Sequence, residues 1–217
     1  MRLYIDSADI QEIQEALGTG YVYGVTTNPT LLERAGVKAL DVPPLATRIF
    51  SYGARELHAQ VYAEETGLML REAESLASID PQRIVVKIPA TPAGYAAAAP
   101  LAARGIRITM TAVFTVAQVI LAHNVGARYA AVYLGRLNDD GVEGLALIGQ
   151  MQRTLAAQQA QLEILAASIR ATTEVQALAG LGVATVTVPL AVLRQLPDSP
   201  RTAAAVAAFA QAARALQ

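Results

Sequence analysis

The chain alternates short strand-like runs with longer helical segments, and this alternation occurs eight times. Each run is apolar or β-branched and ends in polar residues, and the segment after it usually has helical periodicity. Eight such βα units predict an α/β fold, a single (β/α)8 TIM barrel spanning residues 1–217. The predicted strands lie at 3–6, 24–28, 57–63, 84–89, 106–114, 129–135, 162–169 and 184–188.

A doubly wound open sheet is the alternative architecture for such a pattern. It is disfavoured because no Gly-x-Gly-x-x-Gly turn follows the first run, and the glycines at 18 and 20 end a helix instead. The predicted helices lie at 8–17, 66–78, 94–103, 116–124, 144–159 and 173–180.

The tail at 201–217 is an extra Ala-rich helix, and it follows the turn-forming residues at 197–200. Two interpretations are open for it. It closes the barrel in the ordinary way, or it docks on a neighbouring subunit, because an exposed Ala-rich helix presents an unusual apolar surface.

Composition restricts the class of partner. The net charge is -1, from 17 basic and 18 acidic residues, so there is no broad basic surface for nucleic acid or an anionic membrane. Cysteine is absent, which removes disulfides and thiolate chemistry. No signal peptide begins the chain, and no apolar run reaches the ~18 residues of a membrane span. The expected protein is cytoplasmic, with small polar metabolites as partners.

Lys87 restricts the chemistry most, because it lies within the apolar run at 84–89. An unpaired ammonium on a buried strand is energetically costly. Desolvation favours the neutral amine, which attacks carbonyl carbons to form a Schiff base. Carbonyl chemistry is therefore one interpretation. The other is a strand-end lysine whose ammonium reaches water or pairs with a carboxylate.

Polar side chains recur at the carboxyl halves of the predicted strands, where barrel enzymes build their active sites. Side chains alternate faces along a strand, so residues two apart point the same way and these groups can meet in one cavity. Their mixture of carboxylate, amide, hydroxyls, phenol and amine indicates proton transfer around a covalent carbonyl adduct. The candidates are Asp6, Thr26, Asn28, Gln60, Lys87, Thr111 and Tyr133, with Ala131 on the face of Tyr133.

A phosphate site is predicted near the sixth and seventh strands. Arg136, Ser168 and Arg170 supply two guanidiniums and a hydroxyl there. Either arginine alone is also typical of a solvated surface charge. His58 and His123 lack metal-ligand spacing, so no metal is expected. His58 is a candidate for the pocket lining or for a hydrogen-bonded core position.

Several of these motifs resemble the small-subunit transaldolase family, which includes the fructose-6-phosphate aldolases. The resemblance runs from Tyr4 to about Phe209. The motifs that carry it are Asp6 in the first strand, Gly24-Val25-Thr26-Thr27-Asn28-Pro29-Thr30, Val86-Lys87-Ile88-Pro89, Ala167-Ser168-Ile169-Arg170 and Thr187-Val188-Pro189-Leu190.

The resemblance implies a class I aldolase in which Lys87 forms the Schiff base, Asp6 transfers protons and Asn28 holds the intermediate. It implies no metal or organic cofactor, and a sugar phosphate or dihydroxyacetone as the small-molecule partner. It also implies a homo-oligomer, with rings of five stacked into a decamer. By the same matching, Arg136, Ser168 and Arg170 hold the substrate phosphate. Thr26 and Ala131 are further candidates for substrate binding.

Gln60 and Tyr133 match the fructose-6-phosphate aldolase branch, where transaldolases carry glutamate and phenylalanine. Ala131 also matches that branch. Together with Thr111, Gln60 and Tyr133 would orient the water that protonates the enamine and hydrolyses the imine. Gly135 instead follows the transaldolase pattern.

The predicted reaction is reversible cleavage of fructose 6-phosphate, or a close analogue, to dihydroxyacetone and glyceraldehyde 3-phosphate. One alternative is a transaldolase that transfers a dihydroxyacetone unit between sugar phosphates. The other is a barrel that binds a sugar phosphate without catalysis. Arg170 and His58 depart from the family pattern: Arg170 replaces a lysine, and His58 replaces an apolar residue near Gln60. These changes affect the expected substrate preference more than the Schiff-base chemistry.

Overall fold

The computed structural model describes residues 1–216, and its strands form a closed parallel barrel in chain order. This confirms the predicted (β/α)8 barrel. Gln217, the last residue of the predicted C-terminal helix, lies outside the described residues. The strands are β1 (Arg2–Asp6), β2 (Val22–Thr26), β3 (Glu56–Gln60), β4 (Ile84–Pro89), β5 (Ile108–Val113), β6 (Tyr129–Tyr133), β7 (Glu163–Ala167) and β8 (Thr185–Val188).

Helices surround the barrel, and a 3₁₀ turn at Ala39–Asp41 precedes the third of them. Several begin with a side-chain cap; Thr115, for example, accepts a hydrogen bond from the Gln118 amide. The helices are α1 (Ile10–Gly18), α2 (Pro29–Arg34), α3 (Val42–Ser51), α4 (Thr66–Ile79), α5 (Pro92–Ala103), α6 (Val116–Asn124), α7 (Leu134–Asp139), α8 (Gly144–Ala157), α9 (Thr172–Gly180), α10 (Leu190–Gln195) and α11 (Pro200–Arg214).

The strands place apolar and polar residues on opposite faces. On β4, Val86 and Ile88 belong to the main apolar core, whereas Val85 packs with other residues inside the barrel. Lys87 shares the face of Val85, because side chains two apart on a strand point the same way. The main apolar layer therefore lies between sheet and helices, and the barrel interior receives the polar groups.

The structure corrects several predicted boundaries. The strand predicted at 129–135 ends at Tyr133, and α7 begins at the next residue. The segment 57–63 forms a strand only as far as Gln60. None of the predicted helix ranges covers α2, α3, α7 or α10; three of these four have only six residues, too few for periodicity to separate a helix from a loop.

The C-terminal helix α11 buries none of its residues. Its apolar side chains are open to solvent, with Val206 57% and Phe209 71% exposed. Among residues 1–216, no helix has the length and apolar character needed to cross a membrane.

Glu56 is the centre of a buried polar network at the amino-terminal end of the barrel interior. The hydroxyls of Tyr4 and Tyr129 donate to its Oε2 at 2.8 and 3.0 Å. Nη1 of Arg107 donates to its Oε1 at 2.7 Å. Burial opposes ionisation of Glu56, but the hydrogen bonds from His58 and Tyr4 and the charge of Arg107 outweigh it and lower the Glu56 pKa to about 2, so the group is ionised.

His58 belongs to this network and not to the cavity wall. It is fully buried, with its Nδ1 2.9 Å from the Thr109 hydroxyl and its Nε2 3.4 Å from Glu56 Oε2. Burial lowers the pKa of the imidazole, which favours its neutral form. Because the Glu56 carboxylate only accepts, we assign the ring proton to Nε2, and Thr109 then donates to Nδ1. His58 is therefore a hydrogen-bonded core residue.

Candidate active site

A cavity of about 470 Å³ opens at the carboxyl ends of the strands. All the predicted site residues line it except Arg170. The lining residues are Asp6, Thr26, Asn28, Pro29, Thr30, Leu31, Arg34, Gln60, Lys87, Pro89, Thr111, Ala112, Ala131, Tyr133, Arg136, Leu165, Ala167, Ser168 and Thr187.

Lys87 reaches this cavity from β4 and is 4% exposed. Its Nζ donates to the Thr27 carbonyl oxygen at 2.6 Å, and no carboxylate of residues 1–216 forms a salt bridge with it. Gln60 on β3 and Thr109 on β5 are its cross-strand partners. The amine is thus held by a neutral acceptor and faces a polar cavity, where a carbonyl carbon can approach it.

Asp6 lies at the end of β1, and its Oδ1 accepts a 2.6 Å hydrogen bond from Thr26. The Thr26 hydroxyl lies 2.7 Å from that of Thr187, so we assign Thr187 as the donor in that pair. Burial raises the Asp6 pKa, although the charge of Lys87 and the Thr26 hydrogen bond oppose it. A carboxyl group with a raised pKa exchanges protons more readily near neutral pH.

Asn28 joins the cavity to helix α2. Its Oδ1 accepts from the Leu31 amide at 3.0 Å and caps the helix, and Pro29 fixes the first turn. Capping uses only the carbonyl oxygen of the side chain. The two N–H donors of Asn28 are left for a ligand in the cavity.

Tyr133 lies across the cavity at the end of β6. Its hydroxyl is 2.7 Å from that of Thr111 on β5. Phe114 packs edge-on against the Tyr133 ring at 5.7 Å, and the Arg136 guanidinium lies over the ring at 4.7 Å. These contacts fix the orientation of the phenol.

Arg136 and Ser168 lie together where α7 approaches the end of β7. Ser168 has φ 58°, a left-handed backbone conformation that costs a non-glycine residue about 1–3 kcal/mol. A Cβ at Gly135 would lie 2.5 Å from the Ser168 carbonyl oxygen. Only glycine therefore allows this close approach, which brings an arginine and a hydroxyl to one side of the cavity.

Arg170 lies beside this pair but not on the cavity wall. Its guanidinium holds Asp139 bidentately, with N–O distances of 2.6 and 2.5 Å. Both side chains of this salt bridge are more than half exposed. Of the three predicted phosphate ligands, Arg136 and Ser168 face the cavity directly.

Three polar residues line the cavity that were not selected from sequence: Thr30, Arg34 and Thr187. Thr187 was detectable from strand parity, because it is the inward-facing residue at the end of β8. Arg34 follows Thr30 by one helical turn, but the helix that carries it has only six residues. The residues 1–216 contain no cluster of three His, Cys, Asp or Glu side chains that would hold a metal ion.

A polar cavity at the carboxyl ends of a closed parallel barrel defines a (β/α)8-barrel enzyme site. A solved thiamine phosphate pyrophosphorylase from Pyrococcus furiosus has the same fold, with a TM-score of 0.59 and 15% sequence identity. That likeness covers 90% of this chain and 93% of the other. At this identity it concerns the fold alone.

Sequence similarity identifies the family to which the chain belongs. A family model described as Transaldolase/Fructose-6-phosphate aldolase matches residues 3–217, and the chain belongs to this family. A probable transaldolase of Geotalea daltonii is 37% identical over 209 residues, covering 96% of both chains. A probable transaldolase of Heliobacterium modesticaldum is 39% identical over 202 residues, covering 93% of this chain and 92% of the relative. The chain is a transaldolase-family enzyme.

Proposed function

We propose that this enzyme reversibly cleaves fructose 6-phosphate, or a close analogue, into dihydroxyacetone and glyceraldehyde 3-phosphate through a Schiff base on Lys87. The observation that carries the proposal is the placement of Lys87. Its amine is buried, forms no salt bridge with a carboxylate in residues 1–216, and opens on a cavity that also holds Gln60 and Tyr133. No metal or organic cofactor enters the proposed reaction.

Bond formation starts when the neutral Lys87 amine attacks the ketone carbon C2. The carbinolamine loses water and becomes a protonated imine, which withdraws electrons from the neighbouring C3–C4 bond. Asn28 donates a hydrogen bond to a substrate hydroxyl beside the imine. Thr26 donates a hydrogen bond to Asp6 and holds its carboxylate in place. Ala131 lines the cavity on the face of Tyr133, where its small side chain leaves room for the substrate.

Carbon–carbon cleavage needs a base. Asp6 accepts the proton of the C4 hydroxyl as the C3–C4 bond breaks, so that C4 leaves as the aldehyde of glyceraldehyde 3-phosphate. The bonding pair stays on C3 as the enamine of Lys87. The raised pKa of Asp6 suits a group that takes a proton in one direction and returns it in the other.

Release of the three-carbon fragment requires a proton on C3 and water at C2. Tyr133, hydrogen-bonded to Thr111 at 2.7 Å, delivers the proton through a water molecule that Gln60 also orients. The proton that Asp6 took from the C4 hydroxyl then returns through water to the phenol, so both groups regain their starting states. A second water adds to the imine, and the bond between C2 and the Lys87 nitrogen then breaks. Dihydroxyacetone and the free amine are the products.

The phosphate of the substrate binds on the side of Arg136 and Ser168. A guanidinium and a hydroxyl at one edge of the cavity suit a phosphate group. Arg170 is also part of the proposed phosphate site. To contact the phosphate directly, its guanidinium has to break its salt bridge with Asp139.

Transaldolase activity is the second candidate, because the two relatives are named probable transaldolases. In that reaction the dihydroxyacetone unit stays on Lys87 until an aldose phosphate accepts it. The aldolase proposal is preferred because Gln60 and Tyr133 supply a route for water that ends the reaction without an acceptor.

The test measures glyceraldehyde 3-phosphate released from fructose 6-phosphate, with and without erythrose 4-phosphate as acceptor. We expect release without acceptor, and a fall of about 10²- to 10⁴-fold in Tyr133→Phe, since that variant loses its proton donor. Tyr21→Phe, at a surface tyrosine 46% exposed, is the matched control and keeps full activity. Release only with erythrose 4-phosphate would overturn the aldolase proposal in favour of transaldolase, and no release in either assay would overturn both.

We also propose that the enzyme is a homo-oligomer in which α11 packs on a neighbouring subunit. The support is the exposure of the whole helix, including Val206 and Phe209, since unpartnered apolar side chains are costly in water. A pentamer or decamer is expected from the family resemblance. Light scattering of the full chain should give a mass several times 22.8 kDa, and a mass of one chain would contradict this.

A further inference from the structure

Arg34 is an unassigned cation on the wall of the catalytic cavity. It ends α2, the short helix that follows β2 and Asn28. Thr30 and Leu31 also line the cavity, and Arg34 follows them by four and three residues. This spacing places the three side chains on one helical face, while Leu32 is buried in the apolar core.

No internal partner accounts for Arg34. Within residues 1–216, neither Arg34 nor Arg136 forms a salt bridge, although both line the cavity. In contrast, Arg170 and Arg194 each hold a carboxylate bidentately outside it. The cationic side chains on the wall are Arg34, Lys87 and Arg136, and Asp6 is the carboxylate among them.

The barrel topology places Arg34 and Arg136 on opposite sides of the cavity. Arg34 follows β2 and Arg136 follows β6, and these strands are four positions apart in a closed ring of eight. The two arginines therefore rise from opposite sides of the cavity mouth. Lys87 on β4 lies midway between them around the barrel.

This arrangement matters for a substrate fixed to Lys87 through C2, so the inference rests on the proposed function. The carbon chain has two arms at C2, and they diverge. If the arm from C3 onward carries its phosphate to Arg136 and Ser168, then C1 points toward the β2 side. Arg34 and Asn28 lie on that side.

We propose that Arg34 is a specificity-determining residue that binds a second anionic group, on the C1 side of the substrate. The chemical class is a ketose bearing anions at both ends, such as a ketose bisphosphate. A guanidinium binds phosphate strongly when no other carboxylate competes for it. Arg34 thereby widens the substrate range beyond singly phosphorylated ketoses.

The test compares fructose 1,6-bisphosphate with fructose 6-phosphate, by equilibrium binding and by kcat/KM. The variant is Arg34→Met, and Lys38→Met is the control, because Lys38 is a nearby exposed cation outside the cavity wall. We expect Arg34→Met to weaken binding of the bisphosphate by about 10- to 100-fold and to leave fructose 6-phosphate within about twofold. Lys38→Met should change neither.

Three outcomes would overturn the inference. The wild type fails to bind the bisphosphate, or Arg34→Met binds it as well as the wild type does, or the variant weakens both sugars equally. The last result would show that Arg34 attracts both sugar phosphates alike and does not bind a second anionic group. Because the binding measurement needs no turnover, an enzyme that binds both sugars but cleaves neither would contradict the proposed function and not the role of Arg34.

Discussion

Lys87→Met is expected to abolish cleavage of fructose 6-phosphate, with kcat/KM falling by at least about 10⁴-fold, because the covalent nucleophile is lost. Methionine has a similar length and stays apolar, so it fits a side chain that is only 4% exposed. Replacing a buried amine by an apolar group removes a desolvation cost. The Thr27 carbonyl oxygen loses its donor in the variant, which offsets this gain, so the free energy of unfolding should stay within about 1–3 kcal/mol of the wild type.

Activity and thermal unfolding are measured on the same preparation. A folded and inactive variant supports the role of Lys87. Lys38→Met, at an exposed lysine, is the control for loss of one positive charge and should retain activity. If Lys87→Met retained more than about one hundredth of the wild-type rate, Lys87 would not be the nucleophile.

Glu56→Leu is expected to lower the free energy of unfolding by about 3–5 kcal/mol, since one buried carboxylate serves several partners. The hydroxyls of Tyr4 and Tyr129 would lose their acceptor, and Arg107 would lose its counter-ion. Buried donors without acceptors carry their full desolvation cost. Urea unfolding followed by circular dichroism measures the change.

The control is Glu74→Leu, because Glu74 pairs with Arg104 on the surface and should cost no more than about 1 kcal/mol. Equal losses in the two variants would show that the Glu56 network does not stabilise the barrel. The pH dependence gives a second check. The Glu56 pKa is lowered to about 2, so its contribution is complete above its ordinary value of 4.5 and disappears as pH falls through 2. Glu56→Leu should lack this acid-dependent loss.

The order of the strands and the positions of the longer helices could be predicted from sequence because eight β-branched runs alternate with periodic segments. The residues at which strands and helices end were harder to predict. Tyr133 ends β6 and Leu134 begins α7 without any proline or glycine between them, so the apolar run continues through the boundary. The short helix α10 has the same problem, since six residues complete fewer than two turns.

Strand parity was enough to bring most candidate residues to one cavity. Lys87, Gln60 and Thr111 all end near the carboxyl side of their strands, and alternation alone fixes the face they share. Parity does not give depth along the barrel. His58 shares the face of Gln60, yet it lies one layer below and bonds to Glu56 and Thr109.

Side chains outside the strands could not be placed in the same way. Arg170 was expected at the cavity, but its side chain turns to Asp139, a partner 31 residues away in sequence. Arg34 was not selected, because nothing in the sequence shows which face of a six-residue helix meets the cavity. Such positions depend on tertiary packing, which local patterns do not encode.

The most direct measurement is borohydride reduction of the wild-type enzyme with dihydroxyacetone, followed by peptide mapping with mass spectrometry. Reduction converts an imine into a stable secondary amine at the residue that formed it. We expect one adduct, on the peptide that contains Lys87, and none in Lys87→Met. An adduct on Lys38 alone, or no adduct despite measurable cleavage of fructose 6-phosphate, would contradict a Schiff base on Lys87.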